Sequence, residues 1–169
     1  MSGVPDLYLV FGFLVIQRLI ELAWAQRNTR RLLARGAVEI GRSHYPLFIA
    51  LHGAWLAAIL FAIPEERMVS VPLLAAFLLL QVARLWVIAS LGPFWTTRII
   101  TLADTPLVRR GPYRLMRHPN YAVVVAEIAV VPLMFEAWTI ALVFSILNAT
   151  LLYWRIRVEN AALAPRRSA

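Results

Sequence analysis

The sequence predicts an all-α fold: a polytopic membrane helix bundle of about five transmembrane helices in a single domain over residues 1–169. Three observations carry this expectation. Hydrophobic residues make up 61% of the chain and charged residues 15%, outside the composition of soluble domains. The apolar residues fall in runs long enough to cross a bilayer core of about 30 Å, which takes roughly 20 residues of helix. Between those runs, the basic residues gather in alternate connections.

The first span is read over Leu7 to Ala25. It ends in Ala23-Trp24-Ala25, an A-x-A pattern, but the leader MSGVPD holds Asp6 and no basic residue, and Gln17, Arg18 and Glu21 interrupt the run, which argues for a retained helix over a cleaved signal peptide. Arg18 and Glu21 are three apart and can pair on one helix face. The second span, Tyr45 to Ile63, contains a solitary His52, read as a hydrogen-bonded packing residue. The third, Val69 to Leu91, carries Gln81 and Arg84. The fourth, Tyr121 to Phe135, is short, has Glu127 about two turns in, and places Pro132 at an end or kink. Only Glu136 and its neighbours separate it from the fifth, Ala137 to Arg155, so a tight helical hairpin is expected. A charge at the centre of a span costs about 2.5 to 3.5 kcal/mol. Arg84 and Glu127 therefore either pair across the bundle or line a cavity where they contact the polar end of a substrate; the sequence leaves both open.

Orientation follows from the arginines. Arg27, Arg30, Arg31, Arg35 and Arg42 lie in the first connection, and Arg98, Arg109, Arg110, Arg114 and Arg117 in the third. Arg155, Arg157, Arg166 and Arg167 follow the last span, whereas the second connection sets Arg67 beside Glu65 and Glu66 and the fourth has no basic residue. The positive-inside rule then places the N-terminus outside and the C-terminus in the cytoplasm, as an odd number of spans requires. For a bacterial protein this means the cell membrane. All seventeen basic residues are arginine, as a GC-rich genome produces, and the net charge is +8. Because these arginines lie between apolar spans, anionic lipid headgroups are the expected general partner and nucleic acid is not. No cysteine is present, which excludes disulfides and thiolate chemistry. His44, His52 and His118 stand in no metal-ligand spacing, so no metal is expected, and G-x-S-x-G and G-x-G-x-x-G patterns are absent.

The third connection, Pro93 to Pro119, is long for a helix bundle and divides helices 1–3 (residues 1–92) from a loop, hairpin and closing segment (93–169). It holds Trp95, Thr96, Thr97, Asp104 and Tyr113, and ends in GPYRLMRHPNY, residues 111 to 121. There two fixed-φ prolines stiffen a stretch of arginines, a histidine and tyrosines suited to an anionic ligand. Trp and Arg at headgroup depth also form ordinary interfacial belts, and for Trp95 the two readings stand side by side.

GPYRLMRHPNY, the hairpin after it and the closing RIRVENAAL (Arg155 to Leu163) together resemble the isoprenylcysteine carboxyl methyltransferase family of integral-membrane methyltransferases. The resemblance covers about Trp95 to Leu163. The fuller string FWTTRIITLADTPLVRRGPYRLMRHPNY is similar to a small bacterial branch that O-methylates alkylpyrones and related polyketide lipids. It implies S-adenosylmethionine as cofactor, held by Arg117, His118, Pro119 and Tyr121 with Arg155, Glu159 and Asn160. It also implies a lipid-like acceptor methylated at an ionised carboxyl or enol oxygen. Catalytic roles fall to Arg114 and Glu159, and acceptor contacts to Arg84, Trp95 and Glu127. Relatives commonly have a second glutamate where this chain has Asn160, which removes one charge from the donor site. Two other readings share the architecture: an NADPH-dependent reductase of the sterol-reductase type, using Arg109 and Arg110 for the 2′-phosphate, and a noncatalytic lipid-binding protein.

Overall fold

The chain, seen in a computed structural model that describes residues 4–103 and 105–166, is built from helices α1 (Asp6–Ala34), α2 (Tyr45–Ala62), α3 (Val71–Leu91), α4 (Pro119–Leu133) and α5 (Trp138–Leu163). Arg167 lies outside the described residues, as does Asp104. Two short strands, β1 (Val38–Ile40) and β2 (Ile99–Thr101), pair antiparallel, with Glu39 opposite Ile100. They join the first and third connections on one face of the bundle.

The helices α1, α2, α3 and α5 are long and apolar enough to cross a membrane. Large side chains such as Leu9, Phe61, Leu79, Leu85 and Ile146 lie open on the outer surface, as a lipid-facing bundle requires. The 15 residues of α4 span roughly 22 Å at 1.5 Å per residue. This short helix still runs from the arginine-rich face to the opposite one, because α4 is packed between α3 and α5 and the Met134 carbonyl after its end accepts from the Ser70 amide just before α3.

Two helices outrun the apolar stretches that announced them. α1 continues from Ala25 to Ala34 and α5 from Arg155 to Leu163. Ala, Leu and Arg in these extensions are good helix formers, so helix persists after the hydropathy has fallen. Gly36, at φ 87°, then stops α1, its amide donating to the Leu33 carbonyl. Burial on α1 is a single stripe, Leu7, Leu14, Glu21, Ala25, Asn28 and Leu32, whose spacing of three, four and seven keeps one face on the bundle.

The apolar core fills the half of the bundle away from the arginine-rich connections. Leu14, Trp55, Ile59, Phe77, Ile128, Val131 and Phe135 interlock there. That end is closed by polar ties: Tyr8 donates to Glu65, the Val69 amide to Asp6, and Arg67 pairs with Glu136. Glu136 takes φ 57° in the tight α4–α5 turn, the hairpin expected from the sequence. The other half is held more openly by the β1–β2 pair, by the Arg98–Glu39 ion pair at 2.7 Å, and by Asn28, whose amide donates to the Gly92 and Trp95 carbonyls. The space left between these ties is the cavity described next.

Candidate active site

A cavity of about 1110 Å³ opens in the arginine-rich half, lined by side chains from every helix and by the third connection. Its lining changes character along its length. Near the connections it is polar, with Arg114, Arg117, His118, Tyr121, Arg155 and Glu159; toward the membrane interior it is walled by Val15, Leu19, Leu22, Ile49 and Leu56. Polar and apolar ends in one cavity suit an amphiphile and a polar cosubstrate together.

The polar end is built on the start of α4 and the end of α5. Pro119 sits in the first turn of α4, where its missing N–H costs nothing, and fixes the direction in which His118 leaves the helix. The His118 ring stacks on Tyr121 with centroids 5.3 Å apart. Across from them on α5, Glu159 accepts from the Tyr121 hydroxyl, and its carboxylate is 3.6 Å from His118 Nδ1. Asn160 meets His118 Nε2 at 3.3 Å. Arg155 is buried and held on three sides: Nε donates to the Tyr121 hydroxyl at 2.8 Å, Nη2 to the Thr97 carbonyl at 2.7 Å, and the guanidinium lies 5.1 Å over the Phe48 ring. It therefore stiffens the tyrosine and glutamate from behind. Thr97 is itself fixed by Tyr45, 3.0 Å away, and Arg98 covers the Tyr45 ring at 4.5 Å.

The 3-10 turn Gly111–Arg114 carries Arg114 and Tyr113 to the cavity. Gly111 has φ 56°, and a Cβ there would meet Ser90 Oγ at 2.1 Å, so only glycine lets this turn dock on α3. Arg110 helps by donating to the Ser90 carbonyl at 2.7 Å. Burial, and to a lesser extent the Glu159 carboxylate, raise the Tyr113 phenol above its ordinary range, keeping it a neutral hydroxyl. Arg114 and Arg117 are exposed at the cavity rim and have no ion-pair partner among the described residues. With Arg109, which is also exposed and lines the cavity, they are cations available to an anionic ligand.

Deeper in the bundle, Arg84 and Glu127 pair with each other, the first of the two arrangements left open by the sequence. Gln81 also donates to Glu127 at 2.8 Å, Arg18 bridges Glu127 and Glu21, and Arg84 reaches Glu21 at 3.2 Å. Two guanidiniums and two carboxylates thus balance inside the bundle. Arg84 also lines the cavity, although it is 1% exposed, while Glu127 lies behind it. Trp95 is buried against Ala25, Val87 and Ile88 with one side on the cavity.

The residues drawn from the motif come together as a group: His118, Tyr121, Arg155, Glu159 and Asn160 are in mutual contact, with Arg114 and Arg117 at the rim. Arg84 and Glu127 belong instead to the inner ionic cluster. The contributions of α2, Tyr45 and Phe48 among them, escaped sequence reading because an aromatic in an apolar helix looks the same whether it supports an arginine or meets lipid.

A model of the isoprenylcysteine carboxyl methyltransferase family matches residues 73–165, which include all but the first two residues of α3, and β2, the Gly111 turn, α4 and α5. The chain is similar to the uncharacterized protein YpbQ of Bacillus subtilis (strain 168), 39% identical over 160 residues that cover 92% of this chain and 95% of that one. An uncharacterized protein of Haemophilus influenzae (strain ATCC 51907 / DSM 11121 / KW20 / Rd) is 26% identical over 161 residues, covering 92% and 94%. No solved structure gives a significant match. With a helix bundle made for a bilayer and the matched region supplying most of the cavity's polar end, the chain belongs to the isoprenylcysteine carboxyl methyltransferase family of membrane methyltransferases.

Proposed function

We propose that the protein is an S-adenosylmethionine-dependent O-methyltransferase. It acts at the cytoplasmic face on an ionised carboxyl or enol oxygen of a lipid-like acceptor, of isoprenylcysteine or alkylpyrone type. The observation that carries this reading is a carboxylate, Glu159, held by Tyr121 and His118 beside two rim arginines, at the polar end of a cavity whose other end is apolar.

The donor set fits the cofactor's chemistry. Arg117 and His118 are suited to its carboxylate, Glu159 to its ammonium or ribose, and Asn160 to a ribose hydroxyl. Asn120, whose Oδ1 is buried at the cavity without a partner, has an acceptor to spare. Tyr121 and Arg155 keep Glu159 in place, and Pro119 keeps His118 in place. Bound there, S-adenosylmethionine supplies an electrophilic methyl group. The protein's own part is alignment and exclusion of water, which in-line displacement chiefly rewards. Arg114 orients the anionic acceptor oxygen, and Arg84 and Trp95 contact the rest of the acceptor, with Glu127 holding Arg84. Methylation removes the acceptor's charge, which favours a product that stays in the membrane.

Calorimetry of the detergent-solubilised protein with S-adenosylhomocysteine, S-adenosylmethionine and NADPH tests the reading. Micromolar binding of the first two, lost in Glu159→Ala, is the expected result; a preference for NADPH would transfer the chain to the reductase reading.

A further inference from the structure

A second hollow lies back to back with the donor site, on the outer face of the bundle where the beginning of α4 meets the end of α5. It is a groove of about 440 Å³ walled by Ala122 and Val125 of α4 and by Ala149, Tyr153 and Ile156 of α5. Its floor is shared: His118, Tyr121 and Leu152 line this groove and the active-site cavity alike, and so form the partition between them. The lining positions on each helix recur at intervals of three and four. The groove therefore follows one seam for roughly 10 Å at 1.5 Å per residue, most of the depth of a single hydrocarbon leaflet.

Ala122, Val125, Ala149 and Tyr153 are exposed, which leaves the groove open to the bilayer. The two alanines make the hollow, since larger side chains there would fill it. An unfilled apolar groove forgoes dispersion contacts, and in the hydrocarbon region a lipid chain is what can supply them. At its arginine-rich end the groove meets a cation. Arg157, one turn beyond Tyr153, is exposed, lies 5.8 Å over the Tyr153 ring and brings Nη1 to 3.4 Å from its hydroxyl. It has no carboxylate partner among the described residues. An interfacial belt accounts for a tyrosine and an arginine at headgroup depth, but not for an apolar groove beneath them that abuts the donor site.

We infer that this groove holds an acyl chain of an anionic phospholipid with the headgroup phosphate on Arg157, and that the bound lipid strengthens methyl-donor binding. This rests on the donor-site reading above. The guanidinium matches a phosphate in charge and geometry, and a net negative headgroup answers a cation that no described carboxylate neutralises. The chain below it packs against His118 and Tyr121 from the membrane side. Those rings stack at 5.3 Å, and on the cavity side they hold Glu159 through the Tyr121 hydroxyl and through His118 Nδ1 at 3.6 Å. A lipid that braces the rings from outside keeps these groups in the arrangement the donor needs, and by linkage a bound donor tightens the hold on the lipid.

The test compares the full-length protein in mixed micelles of a neutral detergent with either phosphatidylcholine or phosphatidylglycerol, at constant ionic strength. Calorimetry should give S-adenosylhomocysteine an affinity about fivefold higher with phosphatidylglycerol, the worth of one arginine at an anionic surface. The unfolding temperature without ligand should also be higher there. Arg157→Gln, which removes the headgroup contact, and Ala149→Phe, which fills the groove with its own ring, should each abolish both differences while the protein still unfolds cooperatively. Arg27→Gln removes an exposed arginine from α1, which lines no part of the groove, and should keep both. Equal affinity of wild type in the two lipids would overturn the inference. So would a lipid effect that persists in Arg157→Gln and Ala149→Phe, or one that Arg27→Gln reduces as much as they do. If wild type binds no S-adenosylhomocysteine in either lipid, the methyl-donor reading fails. The unfolding temperatures then decide the lipid site alone, and their equality in the two lipids would overturn it.

Discussion

Glu159 is the carboxylate that, among the described residues, lines the polar end of the cavity, and its place depends on Tyr121, Arg155 and His118 together. Glu159→Gln keeps an acceptor but removes the charge, so S-adenosylhomocysteine binding should weaken by about tenfold to a hundredfold, the range of a charge-assisted hydrogen bond. Tyr121→Phe should cost less, since it removes one positioning contact; titration calorimetry separates the two. Within the bundle, Glu127 accepts from Arg18, Gln81 and Arg84. Glu127→Ala leaves two inner guanidiniums short of a counter-charge and should cost about 3 to 5 kcal/mol of stability, read as a large fall in thermal unfolding temperature in detergent. At this scale Arg114, Arg117 and His118 stood out in sequence beside Pro112 and Pro119, whereas Arg155, Glu159 and Asn160 were singled out by the family resemblance alone. The pairing of Arg84 with Glu127 was legible as one of two options, since an inner charge demands a partner but sequence does not say which.

The elements that carry the site are short and depend on local chemistry. The turn Gly111–Arg114 docks on α3 only because Gly111 adopts φ 56° against Ser90. Gly111→Ala combines a strained backbone, worth about 1 to 2 kcal/mol, with a direct clash. It should lower both the unfolding temperature and S-adenosylhomocysteine affinity, whereas the same change at Gly12, where a Cβ meets nothing within 4 Å, should leave both unaltered. The helices themselves were legible from hydropathy, with ends wrong where helix outlasts apolarity, as at Gln26 to Ala34 and Ile156 to Leu163. The strand pair β1–β2 was not anticipated, because three-residue strands have no periodicity to read and their pairing joins segments sixty residues apart in sequence.

Across the whole molecule, two differently closed ends explain where chemistry can occur. Interlocked aliphatic and aromatic side chains fill one half, and the other keeps a cavity beneath the arginine-rich connections. From the arginine distribution we propose that this cavity faces the cytoplasm. Since the chain has no cysteine, single introduced cysteines give a background-free test in intact cells. Met68→Cys, exposed at the opposite end, should react with a membrane-impermeant maleimide from outside, and Arg157→Cys only after permeabilisation. The chemistry itself is tested most directly by the transfer of radiolabel from methyl-labelled S-adenosylmethionine to organic-extractable lipid, with the purified protein reconstituted in vesicles made from a lipid extract of its own cells. Label should appear in a lipid product with wild type and fall to background with Glu159→Ala. An extract that stays unlabelled while the protein binds S-adenosylhomocysteine would contradict methyl transfer to a membrane lipid.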